Sequence, residues 1–156
     1  MPAWIKGSLT DSIDRLLAGL PELDRDIDKA VAKFMIDTVQ DLTPVSELDY
    51  NDPHHRPGRL RAGWRVHTRG GVVKLSNKVP YAKYVEFDTR PHIIEAKTAQ
   101  ALRFRDKGEL IFAKRVHHPG TTGHYMLTKT MGITERNIER LCAGAIAKWK
   151  RNAGYR

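Results

Sequence analysis

A single cysteine, Cys142, stands in the chain, so no internal disulfide can staple the fold. Its neighbours Leu141, Ala145 and Ile146 make it read as a small buried hydrophobe, with no acid or base beside it to activate the thiol. No run of about 18 consecutive apolar residues is present, which excludes a spanning helix, and the first residues lack the basic, apolar and small-residue order of a signal peptide. The expectation is a protein made soluble in the cytoplasm. Internal repeats and low-complexity tracts are also missing, which removes solenoid and linker readings.

What is present suits one domain, since 156 residues fill a single core and would leave two cores short of burial. Hydrophobic residues at 40% and charged residues at 29% are those of a globular chain, and the negative mean hydropathy implies a small core with much exposed surface. The net charge of +9 is unevenly spread. Residues 1–50 hold 5 Lys/Arg against 10 Asp/Glu, whereas residues 51–156 hold 22 against 8. Such a field favours nucleic acid or an acidic protein surface, although solvated lysines on an ordinary basic protein give the same count.

Periodicity organises the chain as α+β. Leu9, Ile13, Leu16, Leu17 and Leu20 follow helical spacing after Ser8 or Thr10 as N-cap, and Leu23, Ile27, Ala30, Val31, Phe34, Thr38 and Leu42 continue it. This predicts one long N-terminal helix, kinked or broken near Pro21 and ended by Pro44. Residues 45–57 have no apolar period and read as a surface loop. Trp64, Val66 and Thr68 alternate with Arg65, His67 and Arg69 before Gly70-Gly71, a hairpin signal leading into Val72 to Leu75. Pro80 to Phe87 suits a short helix. His92 to Glu95, Leu102 to Arg105 and Leu110 to Val116 favour strands, with a turn at Asp106-Lys107-Gly108. Together they predict a small antiparallel sheet of about four strands. Met131 to Asn152 closes the chain as an amphipathic helix whose stripe is Ile138, Leu141, Cys142, Ala145, Ile146 and Trp149.

Several short phrases stand in order along the chain: Leu42-Thr43-Pro44-Val45, then Gly58-Arg59-Leu60-Arg61-Ala62-Gly63-Trp64, then Tyr81-Ala82-Lys83-Tyr84-Val85-Glu86-Phe87-Asp88-Thr89, then Pro91-His92 and His118-Pro119-Gly120-Thr121. In that order they resemble the tailed-phage neck or tail-component family typified by phage HK-ninety-seven gene product ten, related to the minor tail protein Z of lambda. The resemblance covers about Thr43 to Met131. It departs from the family where Ser46 to Arg56 intervenes before Pro57, where Asp88 replaces a glycine, and where Tyr125-Met126 replaces a Pro-Phe element. An Asp at a left-handed position would be tolerated.

The resemblance implies a structural virion protein of the head-to-tail joint and not an enzyme. It implies a ring, a hexamer by the symmetry of tails, with no cofactor, no metal and no membrane contact. Partners would be further copies of itself, a head-closure or connector protein, a tail terminator or tail tube protein, and double-stranded DNA in the lumen. A tail terminator is the nearest alternative. Pro44, Gly58, Leu60, Trp64, Tyr81, Ala82, Glu86, Thr89, His118, Pro119 and Gly120 carry the phrases and read as shape-setting residues.

Four chemical readings stand beside it. Arg56, Arg59, Arg61, Arg65, Arg69, Lys74 and Lys78 form a basic track that suits either phosphates or acidic faces of adjacent subunits. Glu86, Asp88, Glu95 and Lys97 fall in a short window, as a metal-dependent DNA-processing enzyme would need. His54-His55 and His117-His118 suggest metal, but neighbours on an extended chain point to opposite faces, and His118 reads better as a turn residue bonding backbone near Pro119. Trp64, Tyr81, Tyr84 and Phe87 could stack bases, yet their helical and strand positions favour the core.

Overall fold

A computed structural model describes residues 9–45, 57–106 and 108–154. The surface loop expected at 45–57 lies almost wholly outside these residues, as do Ser8, His54, His55 and Arg56. The chain gathers into two compact units, one built from residues 1–79 and 126–156 and the other from residues 80–125.

The first unit is built on two long helices. Helix α1, Leu9–Leu42, runs on through Pro21 instead of breaking there. Pro21 removes one backbone donor, and it sits on an exposed part of the helix where water can serve the carbonyl left over. Helix α4, Met126–Asn152, begins ahead of the expected Met131. The reason lies in its first turns, where Thr130 donates to the Met126 carbonyl at 2.7 Å and Thr134 to the Thr130 carbonyl at 2.8 Å. Both threonines are buried with their hydroxyls satisfied, so a stretch with poor helix propensity becomes a core face.

The two helices run antiparallel. Trp149 lies against Gly19, Lys148 is 3.5 Å from Asp26, and the Arg140 guanidinium sits 5.8 Å from the centroid of Phe34. Gly19 is the point of closest approach. A Cβ there would fall 2.8 Å from the Trp149 ring, whose indole N–H donates to the Gly19 carbonyl at 3.1 Å. The buried ridge of α1 is Val31, Met35 and Val39, continued by Thr43 just past its end, with Ala32 beside it. That ridge is rotated from the expected face: Met35 and Val39 are core, while Phe34, Thr38 and Leu42 are half-buried. On α4 the stripe is likewise trimmed. Ala145 and Trp149 are buried, Leu141, Cys142 and Ile146 are half-buried, and Ile138 is exposed.

Strands β1, Trp64–Arg69, and β2, Val72–Asn77, form the expected hairpin beside α1, entered through the short helix α2, Arg59–Ala62. Gly70 and Gly71 both have positive φ, as a two-residue turn matched to strand twist requires.

The second unit opens with the short helix α3, Ala82–Glu86, and continues as strands β3, His92–Glu95, β4, Leu102–Asp106, β5, Glu109–Ala113, and β6, Arg115–His118. Here β3 pairs with β6 and β4 with β5, both antiparallel. The α+β class, the long N-terminal helix, the antiparallel strands and the C-terminal helix all stand. The strands, however, close as three two-stranded ladders and not as one sheet of about four. The second unit is one long hairpin interrupted midway: residues 96–101 intervene on one arm and Lys114 alone on the other. That unequal insertion breaks the pairing between the inner and outer ladders, leaving the Ala96 N–H bonded to the Lys114 carbonyl at the junction.

Candidate functional site

The β1–β2 ribbon sorts the basic track. Alternation places Arg65, His67 and Arg69 on one face, and the register adds their partners Ser76, Lys74 and Val72 to it. Arg65, His67, Arg69, Lys74 and Val72 on this face are exposed. The opposite face holds buried Trp64 and half-buried Val66, Val73, Leu75 and Asn77. Arg65 is steered by its own backbone, donating to the carbonyls of Ala62 at 2.6 Å and Trp64 at 2.7 Å. The ion pairs among the described residues, Lys33–Asp37, Arg115–Glu95 and Lys148–Asp26, involve none of these cations.

Arg61 leaves the track for a structural task. Its guanidinium donates to the Thr43 carbonyl at 3.2 Å, just beyond the C-terminus of α1. That helix has no basic residue in its last turn, so Arg61 supplies the positive charge its end favours. Arg59 and Lys78 are exposed on segments flanking the ribbon, and Arg56 lies outside the described residues.

The motif phrases meet in two joints. In the first unit the Thr43 hydroxyl donates to the Val39 carbonyl at 2.5 Å and accepts from the Trp64 indole at 2.8 Å. Asn77 then ties the ribbon to α2, donating to the Leu60 carbonyl at 2.8 Å while its Oδ1 accepts from the Val79 N–H at 3.0 Å. Leu60 and Trp64 are buried, and Pro44 follows at the exposed end of α1. Gly58, at φ 74, turns the chain into α2. Asn77 carries no signal in the sequence, and Thr43 stands there only as part of its phrase, since a Thr beside a proline does not reveal the indole it will bond.

In the second unit the outer ladder continues past β3 and β6. The bridge Thr89↔Thr121 keeps the register of His92↔His118, which places Pro91 opposite Pro119 and Arg90 opposite Gly120. Facing prolines cannot donate, so the ladder lapses there and resumes at Thr89 and Thr121, whose backbones exchange bonds of 2.9 and 3.3 Å. Gly120 has φ +89, and a Cβ on it would lie 2.2 Å from the Thr89 carbonyl oxygen, so both conformation and space demand glycine. The Gly120 N–H donates to His118 Nδ1 at 3.1 Å, the turn contact expected of that histidine.

Asp88 is not in a left-handed conformation, so tolerance of such a backbone does not explain the Asp. Its carboxylate instead holds the far loop, accepting from the Gly123 N–H at 2.7 Å and the Tyr125 hydroxyl at 2.6 Å. These bonds, Gly123 first and Tyr125 second, hold the Asp88 carboxyl below the usual carboxylate range. The same carboxylate pushes the Tyr125 phenol up. Tyr125 carries the positive φ here, at 52°.

Around this joint lies an open cleft of about 750 Å³, lined by Tyr84, Asp88, Arg90, His92, His118 and His124 among others. The rings of His92 and His118 are 5.0 Å apart. His92 Nδ1 faces the Arg90 carbonyl at 2.8 Å and donates to it, whereas His118 Nδ1 accepts from the Gly120 N–H. His117 is on the other face of β6, as adjacent strand residues must be.

The acids of the short window are kept apart. Glu86 is buried on α3, Asp88 is engaged as described, and Glu95 lies 3.5 Å from Arg115. Among the described residues, no group of three or more His, Cys, Asp or Glu is placed to hold a metal ion. The expectation of an aromatic core is corrected in part. Trp64 is buried, but Tyr81, Tyr84 and Phe87, on and beside the five-residue helix α3, are exposed at 42%, 56% and 55%. Lys83 sits 4.8 Å from the Tyr84 ring centroid. Ala82 is half-buried at the start of that helix.

No helix among the described residues is long and apolar enough to cross a membrane. Comparison with protein-family models, with curated proteins and with solved structures gave no match to this chain.

Proposed function

We propose that the chain is a structural component of a tailed-phage neck, a tail-completion protein that closes as a hexameric ring round the DNA channel and helps tail attachment and genome passage. Its partners are then further copies of itself, a head-closure or connector protein on one side, and a tail terminator or tail tube protein on the other. It is made in the host cytoplasm and ends in the virion.

One observation carries this reading: the β1–β2 ribbon presents Arg65, His67, Arg69 and Lys74 on an exposed face while its other face lies against α1. A moving genome needs contacts that neutralise phosphate without reading bases, since specific readout would arrest it. Arginine and lysine side chains on a surface ribbon provide such contacts. The ordered phrases that resemble those of the neck family add support, because most of their residues act as joints of the backbone.

The reading is tested by complementation and by DNA retardation. Particles lacking the protein should fail to join tails, and Arg69→Glu with Lys74→Glu should keep the fold but impair genome delivery. With random-sequence DNA the double variant should bind more weakly, its salt dependence reduced by about one unit of slope per lost phosphate contact. Normal tail joining without the protein, or cleavage of DNA in magnesium or manganese, would overturn the proposal.

A further inference from the structure

Among the described residues, two apolar surfaces lack cover, and they are unlike in charge. The first is the N-terminal stretch of α1. Ile13, Leu16, Leu17 and Leu20 recur at helical spacing on one face and are exposed at 47%, 43%, 55% and 41%. They flank the level of Gly19, where Trp149 marks the last turns of α4, so the antiparallel pair runs out within this stripe and Ile13 lies past its end. The second is the β4–β5 hairpin. Phe112 and Leu110, two apart on β5 and therefore on one face, are exposed at 63% and 45%, with Arg103 opposite Phe112. Among the described residues this ladder has no third strand, and a two-stranded hairpin is marginal in water without something packed on it.

We infer that these two surfaces mate between copies: the β4–β5 hairpin of one chain seats on the Ile13, Leu16, Leu17 and Leu20 stripe of the next. Charge selects this pairing over the alternatives. Residues 9–24 hold 4 Asp/Glu against 1 Lys/Arg, while residues 102–114 hold 4 Lys/Arg against 2 Asp/Glu. Stripe against stripe would oppose acids, and hairpin against hairpin would oppose bases; stripe against hairpin joins opposite charges around an apolar centre. The contact uses a different patch on each copy. It is heterologous, so it propagates from copy to copy and ends when a ring closes.

This rests on the reading of the chain as a ring protein, and the test separates the two. In full-length protein carrying Cys142→Ser, one population bears Leu17→Cys and another Phe112→Cys. They are mixed and mildly oxidised, both at high concentration in solution and during assembly into particles. A disulfide joining one copy of each kind is expected, with little linking of like copies. Leu17→Asp and Phe112→Asp, both at exposed positions, should keep the melting behaviour of the parent yet raise the concentration needed for self-association about tenfold or more. Rings that form with only like-to-like links, or that tolerate both aspartates, overturn the seat and leave the ring. Necks that assemble without the protein overturn the ring reading itself.

Discussion

Asp88 shows what one exposed carboxylate can organise. It accepts from Gly123 and Tyr125, tying together loops 35 and 37 residues apart in sequence. Because its carboxyl is held low, the tie stabilises above the ordinary carboxylate range and is lost as acid protonates it. Because the Tyr125 phenol is raised, the tie is present below the ordinary phenol range and is lost as base ionises it. Asp88→Asn should therefore let Tyr125 ionise at lower pH, read as a difference in ultraviolet titration against Tyr125→Phe. An unchanged phenol titration would sink that account. Trp64 makes the complementary case in a buried setting. Trp64→Phe keeps most of the apolar volume but removes the indole donor to Thr43, so stability to denaturant should fall by about 1–2 kcal/mol. The resemblance points to Trp64 and the Gly120 turn and takes in Thr43 and Tyr125 by position, but nothing local marks Asn77 or shows what Thr43 and Tyr125 bond, since those roles depend on partners far along the chain.

The long elements follow from periodicity and the short ones from turn chemistry, with failures where packing overrides propensity. Met126 to Thr130 enters α4 because two threonine hydroxyls bond back to their own helix and the face is buried. Gly19 makes the contest measurable. Propensity alone says that Gly19→Ala should stabilise a helix by about 1 kcal/mol. The added Cβ would instead fall 2.8 Å from the Trp149 ring, and overpacking of that kind costs about 1–3 kcal/mol. A lowered melting temperature is expected; a raised one would mean that the helices can part at no cost. The same logic explains why one predicted sheet became separate ladders. Most strands are legible, but the run expected from Leu110 to Val116 is two strands, β5 and β6, parted at Lys114, and residues 96–101 facing Lys114 alone could be recognised only once the partners were known.

Across the whole molecule, burial is concentrated in the first unit, where Val31, Met35, Val39, Trp64, Ala145 and Trp149 are all buried. The second unit keeps Ile93, Ile94, Leu110 and Phe112 exposed on two-stranded ladders. Local opening should follow that division. In dilute full-length protein, amides of β4 and β5 should exchange with deuterium well before those of Val31 to Thr43, and they should become protected on assembly. Equal protection of the two regions in dilute protein would contradict this picture. The uneven charge, 5 against 10 in the first fifty residues and 22 against 8 thereafter, was visible from the start. Its placement was not: Arg61 serves a helix end, while Arg69 and Lys74 stand on an open face.

The amino-acid order by itself determined the α+β class, both long helices, the Gly70-Gly71 hairpin and the charge asymmetry, because these depend on neighbours within a few turns of chain. Only the tertiary structure decided which face of α1 is buried, that Pro91 meets Pro119 across a lapsed ladder, and that three aromatics and the N-terminal stripe of α1 stay exposed. Those outcomes are set by distances between residues remote in sequence, and a pattern read along the chain carries no information about which remote surface arrives to cover it.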